Sequence, residues 1–161
     1  ILHGYTSGPG DIGVRTEISN YINNKFQVEA SPNLIYMTCG AAASLCITFR
    51  ALTEKDDEII IFAPYFPEYQ VFITSAGAKP VEVKCDAETL QIDLDAFRNA
   101  INEHTKAVVL NSPNNPSGVV TSEETVKAMT DILREKEKEY GKRTCSTPIY
   151  ELTAYSDFGK G

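Results

Sequence analysis

The chain has 161 residues, 42% of them hydrophobic and 23% charged, which suits one globular domain of ordinary size with a real core. Its net charge of −7 argues against a nucleic-acid partner, since phosphate backbones are bound by basic faces. No apolar run reaches the roughly 18 residues of a membrane span, and no signal peptide is visible, so neither membrane nor secretion is expected.

In chain order, strand and helix patterns alternate. Asp11 reads as an N-cap, and Val14, Ile18, Tyr21, Ile22 and Phe26 follow at helical spacing. Leu34 to Met37 reads as a strand ended by Gly40, and Ala41 to Leu52 as an apolar helix. Glu58 to Phe62 is a second strand, closed by Pro64. Glu68 to Ala76 has helical character and stops at Gly77. Pro80 to Cys85 alternates as a strand does, Asp93 can cap a short helix through Ile101, and Lys106 to Leu110 reads as a buried strand. Thr121 with Glu124 has the form of a capping box, opening a charged helix that runs toward Tyr140. The alternation predicts an α/β fold, a mostly parallel sheet covered by helices on both faces.

Ligands of such sheets bind beyond the carboxyl ends of the strands, so the loops there are the places to look for chemistry. In Thr38 to Leu45 a glycine and small side chains open a helix, which lets an anion approach the free amides of its first turn. Taken alone, that loop is better read as a tight turn into a well-packed helix, because neither GxGxxG nor a Walker lysine is present. Ala63 to Tyr69 holds aromatics between two prolines, suited either to a flat ligand ring or to ordinary packing. In Asn111 to Gly118, Asn115 precedes a proline, which restricts its backbone and lets its amide be aimed; a plain polar turn is the alternative. Tyr5, Gly10 and Arg15 form a weaker group near the start. The four cysteines show no CxxC or zinc spacing; Cys46 reads as a small core residue, and a reducing, cytoplasmic setting is the simplest inference.

Taken together, these segments resemble the class I/II aminotransferases, the fold type I enzymes that depend on pyridoxal 5'-phosphate (PLP). The resemblance rests on Tyr-x4-Gly-x4-Arg from Tyr5, the Gly-Ala-Ala-Ala loop at Gly40, Pro-Tyr-Phe-Pro-Glu-Tyr from Pro64, and Asn-Asn-Pro-Ser-Gly from Asn114. It implies a three-layer α/β/α arrangement, with residues 1–161 as an incomplete large, PLP-binding domain. It also implies that Gly40, Ala41 and Ala42 contact the PLP phosphate, that Phe66 stacks on the pyridine ring, and that Asn115 hydrogen-bonds the 3′-oxygen. A cis bond to Pro116 is one form the match allows. Tyr5 would reach the phosphate of a neighbouring subunit, implying a homodimer, and Tyr69 would lie near the substrate pocket. The substrates implied are an amino acid and a 2-oxo acid.

The family's Schiff-base lysine has no match here, and Lys160 fits neither its motif nor its place in the order. Thr147 to Tyr150 resembles the beginning of the strand that carries the family's pyridine-nitrogen aspartate, but the motif expected between Tyr150 and Glu151 is missing, and Asp157 does not replace it. The substrate-carboxylate arginine is likewise expected elsewhere. The expectation is therefore a fragment that is inactive on its own. A C–S lyase of the same fold and a non-catalytic remnant of the fold are the alternatives, with a Rossmann-type nucleotide binder fourth, for want of a glycine fingerprint.

Overall fold

A computed structural model of the chain describes residues 4–141 and the backbone of residues 147–151. Two compact units divide it, Ile1–Ser44 and Leu45–Gly161.

In the first unit, helix α1 (Ile12–Phe26) begins at Asp11, whose carboxylate accepts from the Val14 amide as an N-cap should. Most of the apolar residues that announced α1 are on its exposed side: Val14, Tyr21 and Phe26 are all solvent-facing. The buried positions are polar, Arg15 and Ser19. Arg15 donates to the carbonyls of Gly10 (3.2 Å) and Pro32 (2.8 Å), and Ser19 donates to the carbonyl of Ala30. Helix α1 thus ties its neighbouring loops down through side-chain donors to their carbonyls.

The strand expected at Leu34–Met37 does not form. Pro32–Leu34 is a single 3-10 turn capped by Ser31, and the chain then runs extended without entering the sheet. Leu34 is 82% exposed. The physical reason is that a strand exists only through pairing. The Met37 amide goes to the Pro9 carbonyl (3.0 Å) and that of Ile35 back to Pro32 (3.3 Å), so no ladder is built.

The second unit holds a parallel sheet of β1 (Glu58–Ala63), β2 (Lys79–Lys84), β3 (Thr105–Asn111) and β4 (Thr147–Glu151), ordered β2-β1-β3-β4. Successive residues of β1 serve opposite faces. Ile59 and Ile61, with Ala107 and Val109 of β3, pack against Leu45 and Phe49 of helix α2 (Ala41–Leu52) and Tyr69 and Ile73 of helix α3 (Glu68–Ser75). Ile60 and Phe62, with Val108, pack against Phe97 of helix α4 (Leu94–Ala100) and Met129 and Ile132 of helix α5 (Glu123–Tyr140). Burial on both faces is why β1 and β3 read as continuous apolar runs, and it produces the three layers expected. Asp93 caps α4 by accepting from the Asp95 and Ala96 amides. Helix α5 starts one residue later than its capping box suggested: Ser122 accepts from the Thr125 amide, while the Thr121 amide is drawn to the Ser112 hydroxyl (3.0 Å).

Strand β4 continues through Tyr150 and Glu151, opposite Leu110 and Asn111. Cys145, Asp157, Lys160 and the segment from Leu152 onward lie outside the described residues.

Candidate active site

Because β1 and β3 are adjacent and parallel, their carboxyl ends deliver two loops to the same edge of the sheet. The loop after β1 runs from Pro64 to Pro67 and that after β3 from Ser112 to Gly118. The peptide bonds Ala63–Pro64, Ser112–Pro113 and Asn115–Pro116 are cis.

Phe66 is half-buried and meets Tyr69 edge to face, with ring centroids 5.7 Å apart and planes at 78°. Tyr69 is only 2% exposed and belongs to the core under α3. It also lines a cavity of about 30 Å³ with Asn111, Asn114, Cys85 and Thr121, room for a water or two rather than for a ring. Tyr65 stacks on Tyr69 at 6.5 Å and donates to Glu82 (2.9 Å), while Gln70 donates to the Tyr65 hydroxyl. Burial, then the hydrogen bond and negative charge at Glu82, push the Tyr65 phenol above its ordinary pKa. Burial, with the charge of Asp93 second, also raises the Cys85 thiol, so it is kept from the reactive thiolate form.

The two asparagines of the β3 loop behave differently. Asn114 is tied down: its side-chain Nδ2 donates to the Pro64 carbonyl (2.9 Å) and to Ser117 Oγ (2.8 Å). Its amide donates to the Val119 carbonyl (2.8 Å), and its own carbonyl accepts from Gly118 (2.7 Å). Asn115 is exposed, and its side chain makes no hydrogen bond among the described residues. Asn114 therefore belongs to the frame, and the carboxamide of Asn115 is available to a ligand.

In the first unit, the Ser44 amide donates to the Gly40 carbonyl (3.2 Å), which makes Gly40 the residue preceding the first turn of α2. The amides of Ala41, Ala42 and Ala43 then have no acceptor within the helix. Thr38 does not cap them: its hydroxyl donates to the Gly40 carbonyl (3.0 Å) and pairs with Ser44 Oγ (2.5 Å). Gly40 has φ +91°, and a Cβ built there meets nothing within 4 Å. Gly40, Ala41 and Ala42 are exposed. Open space, small side chains and outward amides at the positive end of a helix dipole are what an anion requires. Tyr5 is fully exposed. Gly10 and Arg15, by contrast, are structural: a Cβ at Gly10 would lie 2.5 Å from Met37 Cγ, and Arg15 is consumed by two backbone carbonyls.

The sequence profile described as aminotransferase class I and II matches residues 1–138. The chain is 35% identical over 148 residues to the aspartate aminotransferase of Bacillus subtilis, covering 89% of this chain and 37% of that protein. Among solved structures it matches an aminotransferase from Eubacterium rectale with a TM-score of 0.88 and 51% identity, over 93% of this chain and 37% of the other. The aspartate aminotransferase of Thermus thermophilus, solved with maleate, matches with a TM-score of 0.81 and 27% identity, over 92% of this chain and 37% of the other. The chain thus spans a little over a third of the length of these relatives.

Proposed function

The chain belongs to the class I and II aminotransferase family, and on that premise we propose that it is the incomplete large domain of a PLP-dependent enzyme moving an amino group between an amino acid and a 2-oxo acid. The observation that carries this reading is the pairing of β1 with β3, which sets the loops bearing Phe66 and Asn115 side by side at the carboxyl edge of the sheet.

Each unit, taken by itself, carries groups suited to one part of the cofactor. In the first unit, the amides following Gly40 at Ala41 and Ala42 would hold the phosphate, which needs hydrogen-bond donors rather than a basic side chain. The open space at the Gly40 α-carbon leaves room for that approach. In the second unit, Phe66 would fix the plane of the ring, its own tilt set by the edge contact with Tyr69. Asn115 would donate its carboxamide N–H to the 3′-oxygen, favouring the ionised form of that oxygen. PLP, when bound, supplies the electron sink that weakens bonds at an amino acid's α-carbon. The protein's share is to bind, orient and shield.

Tyr69 would border the substrate pocket through the ring it supports, rather than by open contact, since it is buried. The full exposure of Tyr5 is in keeping with a role toward the phosphate of a second subunit, and hence with a homodimer. No residue of this chain is assigned the Schiff-base role. A cytoplasmic setting is supported by the free thiols of Cys39, Cys46 and Cys85. Among the described residues no helix is long and apolar enough to cross a membrane.

The test is PLP binding by the full-length protein as its gene encodes it, followed by amino-group transfer from a panel of amino acids to 2-oxo acids. Phe66→Ala should raise the Kd for PLP roughly three- to tenfold, the loss of one ring-stacking contact. Absence of PLP binding, or an unchanged Kd in that variant, refutes the reading.

A further inference from the structure

We propose that Asn114 is a positioning residue for the cofactor, the clasp that holds the Phe66 loop and the Asn115 carboxamide in a fixed relation. The inference rests on the PLP reading above and adds to it a residue that no ligand contact would reveal.

The Asn114 side chain reaches 50 positions back in sequence to the carbonyl of Pro64, two residues before Phe66. Its other N–H holds Ser117 Oγ, which in turn accepts from the Val119 amide (3.3 Å). Its backbone closes the turn with Val119 and Gly118. One residue therefore fixes the turn that presents Asn115 and couples it to the loop that presents Phe66. Both protons of the carboxamide are used, and no other side chain of this size offers two donors without charge. An ionised aspartate has the same shape and no donor, so it would set a carboxylate against the Pro64 carbonyl. Loss of the clasp frees the two loops to shift independently, and a displacement of a fraction of an ångström at Asn115 weakens a hydrogen bond steeply.

The experiment uses the full-length protein and three measurements: the Kd for PLP, the midpoint of the pH titration of bound PLP absorbance, and the melting temperature without PLP. Asn114→Asp should raise the Kd roughly tenfold, the expected effect of losing one to two hydrogen bonds. It should also move the absorbance midpoint in the same direction as Asn115→Ala. Combined with Asn115→Ala it should move that midpoint no further, because the two residues act on one contact. If melting falls while Kd and midpoint stay within about twofold of wild type, Asn114 only closes a turn, and the proposal is overturned. Should Asn114→Asp not fold, Ser117→Ala, which removes one of the two acceptors, should give a smaller shift of the same sign; no shift overturns the proposal. Absence of PLP binding, or an unchanged Kd in Phe66→Ala, would instead remove the PLP reading itself, and the clasp with it.

Discussion

Gly10→Ala puts a methyl group where the first unit has no room for one. The new Cβ would stand 2.5 Å from Met37 Cγ and 2.8 Å from Met37 Cβ. Rotating the methionine relieves only the first contact. The second needs the backbone to move, and that backbone is held by the bond from the Met37 amide to the Pro9 carbonyl (3.0 Å). Gly10 also has φ +98°, where an L side chain is strained. Such a conformation costs about 1–3 kcal/mol, and overpacking adds about 1–3 kcal/mol. A local destabilisation of about 3 kcal/mol is expected. The Gly10 carbonyl accepts from Arg15, so the loss should be felt along α1. Native-state amide exchange at residues 12–26 in the full-length protein is the suitable assay, because it reports local opening without a two-state global transition. Met37→Ala in the same background should recover part of the loss by removing the Cγ contact. Protection within about 0.5 kcal/mol of wild type in Gly10→Ala would refute the claim that Met37 is pinned.

Phe97→Ala should cost about 3–5 kcal/mol in urea or thermal unfolding, since the ring is fully buried beside Phe62 (centroids 5.5 Å) between the sheet and α4. Asp93→Ala should cost about 1 kcal/mol, readable as faster amide exchange at Asp95 and Ala96, the two amides it caps. Asp86 accepts from the Thr89 amide and hydroxyl (both 2.7 Å) and the Glu88 amide (3.1 Å), bonds that hold its carboxyl below the ordinary range. Its contribution is therefore present above the unfolded value of about 3.9 and is lost as pH falls through the lower folded value. Exchange at Glu88 and Thr89 should accelerate below about pH 4 beyond the intrinsic rate in wild type and not in Asp86→Asn; equal acid sensitivity in both would refute the assignment.

Much of the fold is legible locally because its signals are local. An apolar run between turn residues gives β1 and β3, Asp11 and Asp93 announce their helices, and Gly77 marks the end of α3. Arg15, by contrast, looks like an ordinary exposed helix charge. Its partner at Pro32 lies 17 residues away, out of reach of any local pattern. The error at Thr121 has the same origin. Either Thr121 or Ser122 can cap a helix; Ser122 accepts from the Thr125 amide, and the Thr121 amide goes to the Ser112 hydroxyl.

The loops of the candidate site divide along that line. Composition and spacing alone placed Gly40 before the first turn of a small-residue helix, put Phe66 and Asn115 in loops that each follow a strand, and carried the family resemblance; these depend on residue type and short-range order. Which of these residues are open to solvent and which hold the frame was decided only in three dimensions. Tyr69 is in the core and Phe66 leans on it. Asn114 is spent on Pro64 while Asn115 stays free among the described residues. Leu34 to Met37, with strand-like residues, forms no strand. The physical reason is common to all three: burial and hydrogen-bond pairing are properties of partners brought together by folding, and a sequence pattern specifies the segment but not what folding sets beside it.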